Sequence, residues 1–214
     1  MAVQSTMLPL GTKAPEFELK DITSGASISL QNFVHPAFGG VNKKALLIIF
    51  ICRHCPYVKH VQREIAKIGE DYKDSNLAIV AISSNDPAAY PEDAPESLAQ
   101  QAKELRFEFP YCFDETQSIA RAYHAACTPD FFLFDQNRKL AYQAPSSGLG
   151  QEPKASGLSS WCLAYRGQLD DSRPGNNEPT DGHSLRAAIE AVLSGSKVSE
   201  DQKPSMGCSI KWKS

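Results

Sequence analysis

A chain of 214 residues with 42% hydrophobic and 22% charged content can bury one sizeable core but is short for two full domains, so a single domain over 1–214 is expected. Its formal net charge of -3 gives no electrostatic footprint for nucleic acid, which is excluded as an expected partner. Residues Met1 to Leu8 lack a basic region followed by a long apolar stretch, and no later run approaches the roughly 20 apolar residues that span a bilayer. No membrane partner is therefore expected, and the cytoplasm is the expected compartment.

Phe17 and Leu19, then Ile28 and Leu30, alternate with polar residues on either side of Asp21 to Gly25, which reads as an N-terminal hairpin. The run Ala45 to Ile51 is apolar without alternation, the pattern of a strand covered on both faces. From Pro56 onward, Val58, Val61, Ile65, Ile68 and Tyr72 recur at three- and four-residue steps and predict an amphipathic helix with proline in its first turn. Leu77 to Ile82 is a second buried strand, and strand, helix and strand make a right-handed β-α-β unit, so the sheet is partly parallel.

A polar loop from Ser83 to Pro95 leads to a helix over Glu96 to Arg106, a short strand at Tyr111 to Phe113 and a helix from Thr116 to Tyr123. Phe131 to Phe134, the turn Asp135 to Arg138, and Leu140 to Tyr142 read as a hairpin. Residues 144–181 are rich in Gly, Ser, Pro and Asn without periodicity and are expected to form a long loop, in which Asp170, Asp171 and Arg173 fit a loop-fixing ion network. Asp181 is the expected cap of a final helix over 182–194, ended by Gly195, and a polar tail runs over 195–214.

Six cysteines stand at 52, 55, 112, 127, 162 and 208. Their scatter, one pair apart, is unlike the disulfide framework of a small secreted domain. Cys52-Arg53-His54-Cys55 falls where the buried run stops and the helix begins. Two thiols in this spacing can close a disulfide, and a helix N-terminus favours an anion, so Cys52 is the expected nucleophile and Cys55 its resolving partner. Arg53 and His54 add positive charge that stabilises a thiolate and makes the pair more oxidising. Cys112 and Cys162 read as structural. Cys127 and Cys208 are candidates for additional redox roles, against the readings of a core thiol and a passive tail thiol.

Strand, C-x-x-C, helix, strand, helix and then Thr128-Pro129 before a strand resembles the thioredoxin fold. Gly11 to Leu19 with Ser29 to Phe33 is similar to the opening of its AhpC/TSA branch, which includes redoxin and TlpA-like proteins; the similarity covers about residues 9–143. The resemblance implies an α/β fold with a central mixed sheet and helices on both faces. It further implies a cis Pro129 beside the disulfide, leaving the Thr128 backbone free to pair with an extended substrate segment. The expected activity is thiol-disulfide exchange on protein or small-molecule disulfides and dithiols, with a thiol reductant and without a bound cofactor.

Other classes stay open. Peroxiredoxin-like peroxide reduction is the family-level alternative, although Ile49 stands where typical peroxiredoxins carry Thr or Ser, and Ile51 where thioredoxins carry Trp. Cys52, His54, Cys55 and His60 with Cys127 or Cys208 are soft ligands from which a metal site could be assembled. A non-catalytic partner-binding module is the third reading.

Overall fold

The computed structural model describes residues 2–33, 43–136 and 161–213. In chain order the strands and helices are β1 (Ala2–Gln4), β2 (Glu18–Lys20), β3 (Ser27–Ser29), β4 (Ala45–Phe50), α1 (Pro56–Tyr72), β5 (Leu77–Ser83), α2 (Pro95–Leu105), β6 (Tyr111–Phe113), α3 (Ser118–Ala122), β7 (Cys127–Thr128), β8 (Asp130–Asp135), β9 (Cys162–Gly167), α4 (His183–Ser194) and β10 (Met206–Ser209). No helix among the described residues is long and apolar enough to cross a membrane.

Among the described residues, five strands form the central sheet in the order β6-β5-β4-β8-β9. β4 runs parallel to β5, and β5 to β6, while β8 is antiparallel to both β4 and β9. Every residue of β4 is buried because both faces of the sheet are covered. Ala45, Leu47 and Ile49 point into one apolar cluster with Val58, Val61 and Ile65 of α1, Leu98 of α2 and Leu185 and Ile189 of α4. Leu46, Ile48 and Phe50 point into the other, with Phe17, Leu30, Tyr123 and Trp161. Two covered faces remove the period-two signal, which explains the unbroken apolar run. The β2–β3 hairpin pairs Leu19 with Ile28 as its alternation requires.

Three expectations are corrected. The strand beside β8 is β9, which arises inside the stretch expected to be a loop over 144–181, whereas Leu140 to Tyr142 lies outside the described residues. Trp161 to Ala164 is buried throughout, so this short run shows no alternation, and its Gly- and Ser-rich surroundings mask it. The tail, expected to be polar, contributes β10, the centre of a second sheet of order β1-β10-β7. Finally, α4 begins at His183 with Gly182 as its cap residue. Asp181 lies one position earlier and accepts the His183 N–H at 3.0 Å. Buried Asp170 accepts the N–H groups of Asp181 and Gly182 at 3.0 and 2.8 Å, and Arg173 donates to the Asp170 carbonyl at 2.7 Å. That polar web holds the segment entering α4.

Candidate redox site

β4 carries the chain from the sheet to Ile51 and Cys52, and Pro56, whose fixed φ suits a first helical turn, starts α1 immediately after Cys55. Cys52 and Cys55 are both 0% exposed. Between them the backbone is tied down by Asp93, at the end of a short 3-10 turn, Pro91–Asp93. Asp93 Oδ1 accepts the N–H groups of Arg53 and His54 at 2.8 and 3.1 Å, and Oδ2 receives Asn85 Nδ2 at 2.8 Å and the His54 Nδ1 side. These contacts satisfy a carboxylate with no solvent exposure.

Sequence reading missed Asp93 and Asn85. They are brought to the motif across about 30 to 40 residues of chain by the packing of the loop after β5, a juxtaposition that no local pattern signals. His54 stacks on Tyr90 with ring centroids 4.7 Å apart, and its Nδ1 is 3.8 Å from Cys52 Sγ. The same nitrogen faces Asp93, so the ring cannot relay a proton from sulfur to carboxylate through opposite nitrogens, as a catalytic triad does.

Arg53 does not act as expected. Its guanidinium turns toward α2, donating to the Ser97 carbonyl and pairing with Glu104 at 3.2 Å. A long side chain that finds a carboxylate on a neighbouring helix directs its charge there, leaving the thiols without it.

Thr128 faces both cysteines. Its Oγ1 is 3.2 Å from Cys52 Sγ, and its carbonyl oxygen is 3.2 Å from Cys55 Sγ. The Thr128–Pro129 peptide bond is cis, in line with the resemblance. The backbone of Thr128, however, is not free. β10 pairs antiparallel with β7, placing Cys208 opposite Thr128 and Ser209 opposite Cys127. Gly207 sits so close that a Cβ there would lie 2.0 Å from the Thr128 carbonyl oxygen. The expected docking edge is filled by the chain's own C-terminal strand.

The two motif thiols titrate as a pair. Cys55 is pushed down to about 4 by the adjacent Cys52 thiol, which outweighs burial, with further help from the Cys208 thiol and the backbone N–H groups of Val58 and Cys208. Cys52 is pushed up by its hydrogen bond to Cys55, by burial and by the charge of Asp93. The Cys55 thiol donates to the Thr128 carbonyl, while Thr128 Oγ1 and the His54 ring face the Cys52 sulfur. The two sulfurs therefore share one negative charge as a pair.

Cys127 is fully buried, lies 3.5 Å from the Pro129 carbonyl as a donor, and is pushed up by burial and by Asp130. This is a core thiol's environment. Cys208 is half-buried and packs against the same apolar cluster as Cys55. Of the soft ligands considered for a metal, His60 is instead near Thr180. Among the described residues, Cys52, His54 and Asp93 bring ligand atoms within 4.8 Å of one another. The N–H donors already on both Asp93 oxygens occupy the lone pairs a metal would need.

The AhpC/TSA family matches residues 10–143. The chain belongs to the AhpC/TSA family. An uncharacterized conserved protein from Geobacillus kaustophilus is 46% identical over 100% of this chain and 97% of its own, with a TM-score of 0.83. A hypothetical protein from Sinorhizobium meliloti is 40% identical over 99% and 98%, with a TM-score of 0.82. A candidate thiol:disulfide interchange protein DsbE from Chlorobium tepidum shares the fold at 20% identity over 87% and 99%, with a TM-score of 0.55. A search of curated proteins found no match. Family and fold together support a thioredoxin-like redox role.

Proposed function

We propose that this AhpC/TSA-family protein is a thiol-disulfide oxidoreductase cycling Cys52 and Cys55 between dithiol and disulfide. The observation that carries the proposal is the placement of both buried sulfurs at the start of α1 against Thr128, each 3.2 Å from one of its oxygens. Cys52 attacks one sulfur of a substrate disulfide as its proton passes to the Cys55 thiolate, forming a Cys52–substrate disulfide and releasing a substrate thiolate. Cys55 then gives up the proton and attacks Cys52, closing Cys52–Cys55 and releasing the second substrate thiol. Two protein thiols are oxidised and one substrate disulfide is reduced; the reverse sequence oxidises a dithiol.

Because β10 fills the Thr128 edge, small disulfides and dithiols are the favoured substrates, and an extended protein segment requires β10 to leave. A thiol reductant completes the cycle, and a reducing cytoplasm is the proposed setting. Peroxide reduction is the weaker reading, since Arg53 points to α2 and Ile49 is buried in β4, leaving neither to assist peroxide at Cys52.

The test is a titration of the protein in glutathione buffers of defined potential, with thiol-labelling mass spectrometry of Cys52 and Cys55. A reversible two-electron transition joining those two residues is expected. Absence of the linkage across the whole range of potentials would overturn the proposal.

A further inference from the structure

The two motif thiols have no solvent exposure, yet a third thiol stands half-exposed beside them. β10 delivers it in the arrangement that strand addition would give a substrate cysteine: antiparallel to β7, directly opposite Thr128, with the Cys55 sulfur 3.2 Å from the Thr128 carbonyl. Cys208 packs against the apolar cluster that holds Cys55, and its thiol and N–H help to lower Cys55.

The placement is built in. Ile210 N–H donates to the Ala126 carbonyl at 3.1 Å, and Lys211 N–H donates at 2.8 Å to Asn85, the residue that also holds Asp93. Gln117 donates to the Lys211 carbonyl at 2.8 Å. Before the strand, Ser205 donates to the Gly167 carbonyl at 2.6 Å. The absence of a side chain at Gly207 lets the strand close down on Thr128.

We propose that Cys208 is a third thiol of the redox cycle, through which small external thiols exchange electrons with the buried Cys52–Cys55 pair. This rests on the thiol-disulfide reading above. In the oxidised protein, the Cys208 sulfur attacks Cys55, the Cys52–Cys55 bond breaks, and the proton of Cys208 ends on Cys52, leaving a Cys55–Cys208 disulfide with no net change in oxidation. An external thiolate then attacks Cys208, the half-exposed sulfur, and Cys55 departs as a thiolate. A second external thiol resolves the mixed disulfide, so two thiols become one disulfide and the protein regains three thiols.

The surroundings suit both steps. Cys55 lies at the N-terminus of α1, where a thiolate is favoured, and so leaves readily. Burial, with the hydrogen bond and the charge of the Cys55 anion, pushes Cys208 up to about 11 in the reduced protein, against the favourable pull of Lys211. Once Cys55 is tied in a disulfide its charge is gone, and Cys208 becomes easier to ionise when it is needed.

Oxidation of Cys52→Ser with oxidised glutathione, followed by disulfide mapping, is the test. A Cys55–Cys208 linkage is expected. In parallel, Cys208→Ser is expected to slow reduction of the Cys52–Cys55 disulfide by glutathione about tenfold or more, because the remaining sulfurs are buried. Free Cys55 and Cys208 in oxidised Cys52→Ser, or an unchanged rate in Cys208→Ser, would overturn the role of Cys208. Should Cys52→Ser not fold, the rate arm decides alone. Failure of wild-type protein to form Cys52–Cys55 would instead refute the underlying reading, and a Cys55–Cys208 linkage scored in the same samples keeps the two failures distinct.

Discussion

Replacing Gly207 by alanine tests whether β10 is seated on Thr128. The alanine Cβ would stand 2.0 Å from the Thr128 carbonyl oxygen and 2.5 Å from its carbon, where about 3.4 Å is needed for contact. Both atoms are backbone, so no rotamer change relieves the overlap. Holding the strand in place costs about 1–3 kcal/mol of overpacking. Releasing it exposes Ile210, now 3% exposed, at about 1.5–3 kcal/mol, and gives up at least two interstrand hydrogen bonds at about 0.5–1.5 kcal/mol each.

Because the overlap is with backbone on both sides, the strand is expected to shift off Thr128, and Gly207→Ala to lose about 2.5–6 kcal/mol in urea unfolding. The same displacement withdraws the Cys208 thiol and N–H from Cys55, so the Cys55 thiolate should titrate at higher pH, followed by ultraviolet absorbance or by alkylation rate. A variant within about 0.5 kcal/mol of wild type, with an unchanged thiolate titration, would refute the seating of β10.

Asp93→Asn retains an acceptor for the Arg53 and His54 N–H groups but turns an amide donor toward Asn85 or His54; a loss of about 2–3 kcal/mol is expected in urea unfolding, with Cys52 becoming more acidic in alkylation-versus-pH curves. Arg53→Ala removes a partly exposed pair with Glu104, worth under about 1 kcal/mol, and should leave the titration of both motif thiols where it was; a clear upward shift would mean that the guanidinium serves the sulfurs after all. The pH dependence of stability should carry two opposing slopes. The motif pair keeps one sulfur charged in the folded chain down to about 4, against 9.0 for an ordinary thiol, so this stabilisation is fully present above 9 and is lost as pH falls toward 4. Burial holds Asp130 protonated up to about 8, against 3.8 ordinarily, so its folded state is penalised increasingly as pH rises from about 4 to 8. Asp130→Asn should therefore steepen the rise of the urea midpoint with pH over that window, and Cys55→Ser should turn it downward; profiles unchanged in both variants would refute the assignments.

The strand-to-helix corner was legible in the sequence because its causes are local. An unbroken apolar run, two cysteines and a proline at a helical start specify β4, the cysteine pair and α1 without any distant residue, and Thr128-Pro129 before β8 completes a recognisable pattern. The faces of α1 and the β2–β3 hairpin follow equally from period. The weak places were those where burial on both sides erases period, as at Trp161 to Ala164, and where a strand is made by its neighbours, as at Met206 to Ser209.

The amino-acid order alone determined which thiols could pair and that a sheet strand would present them at a helix start. Only the tertiary structure decided how the two sulfurs share charge, because that depends on donors from Cys208 and on the carboxylate of Asp93. It alone turned Arg53 away to Glu104, set Asp93 under the motif backbone and laid β10 along Thr128. Such outcomes rest on contacts between residues tens to more than a hundred positions apart, and electrostatic and strand-pairing energies are fixed by distance in space, which one-dimensional order does not contain.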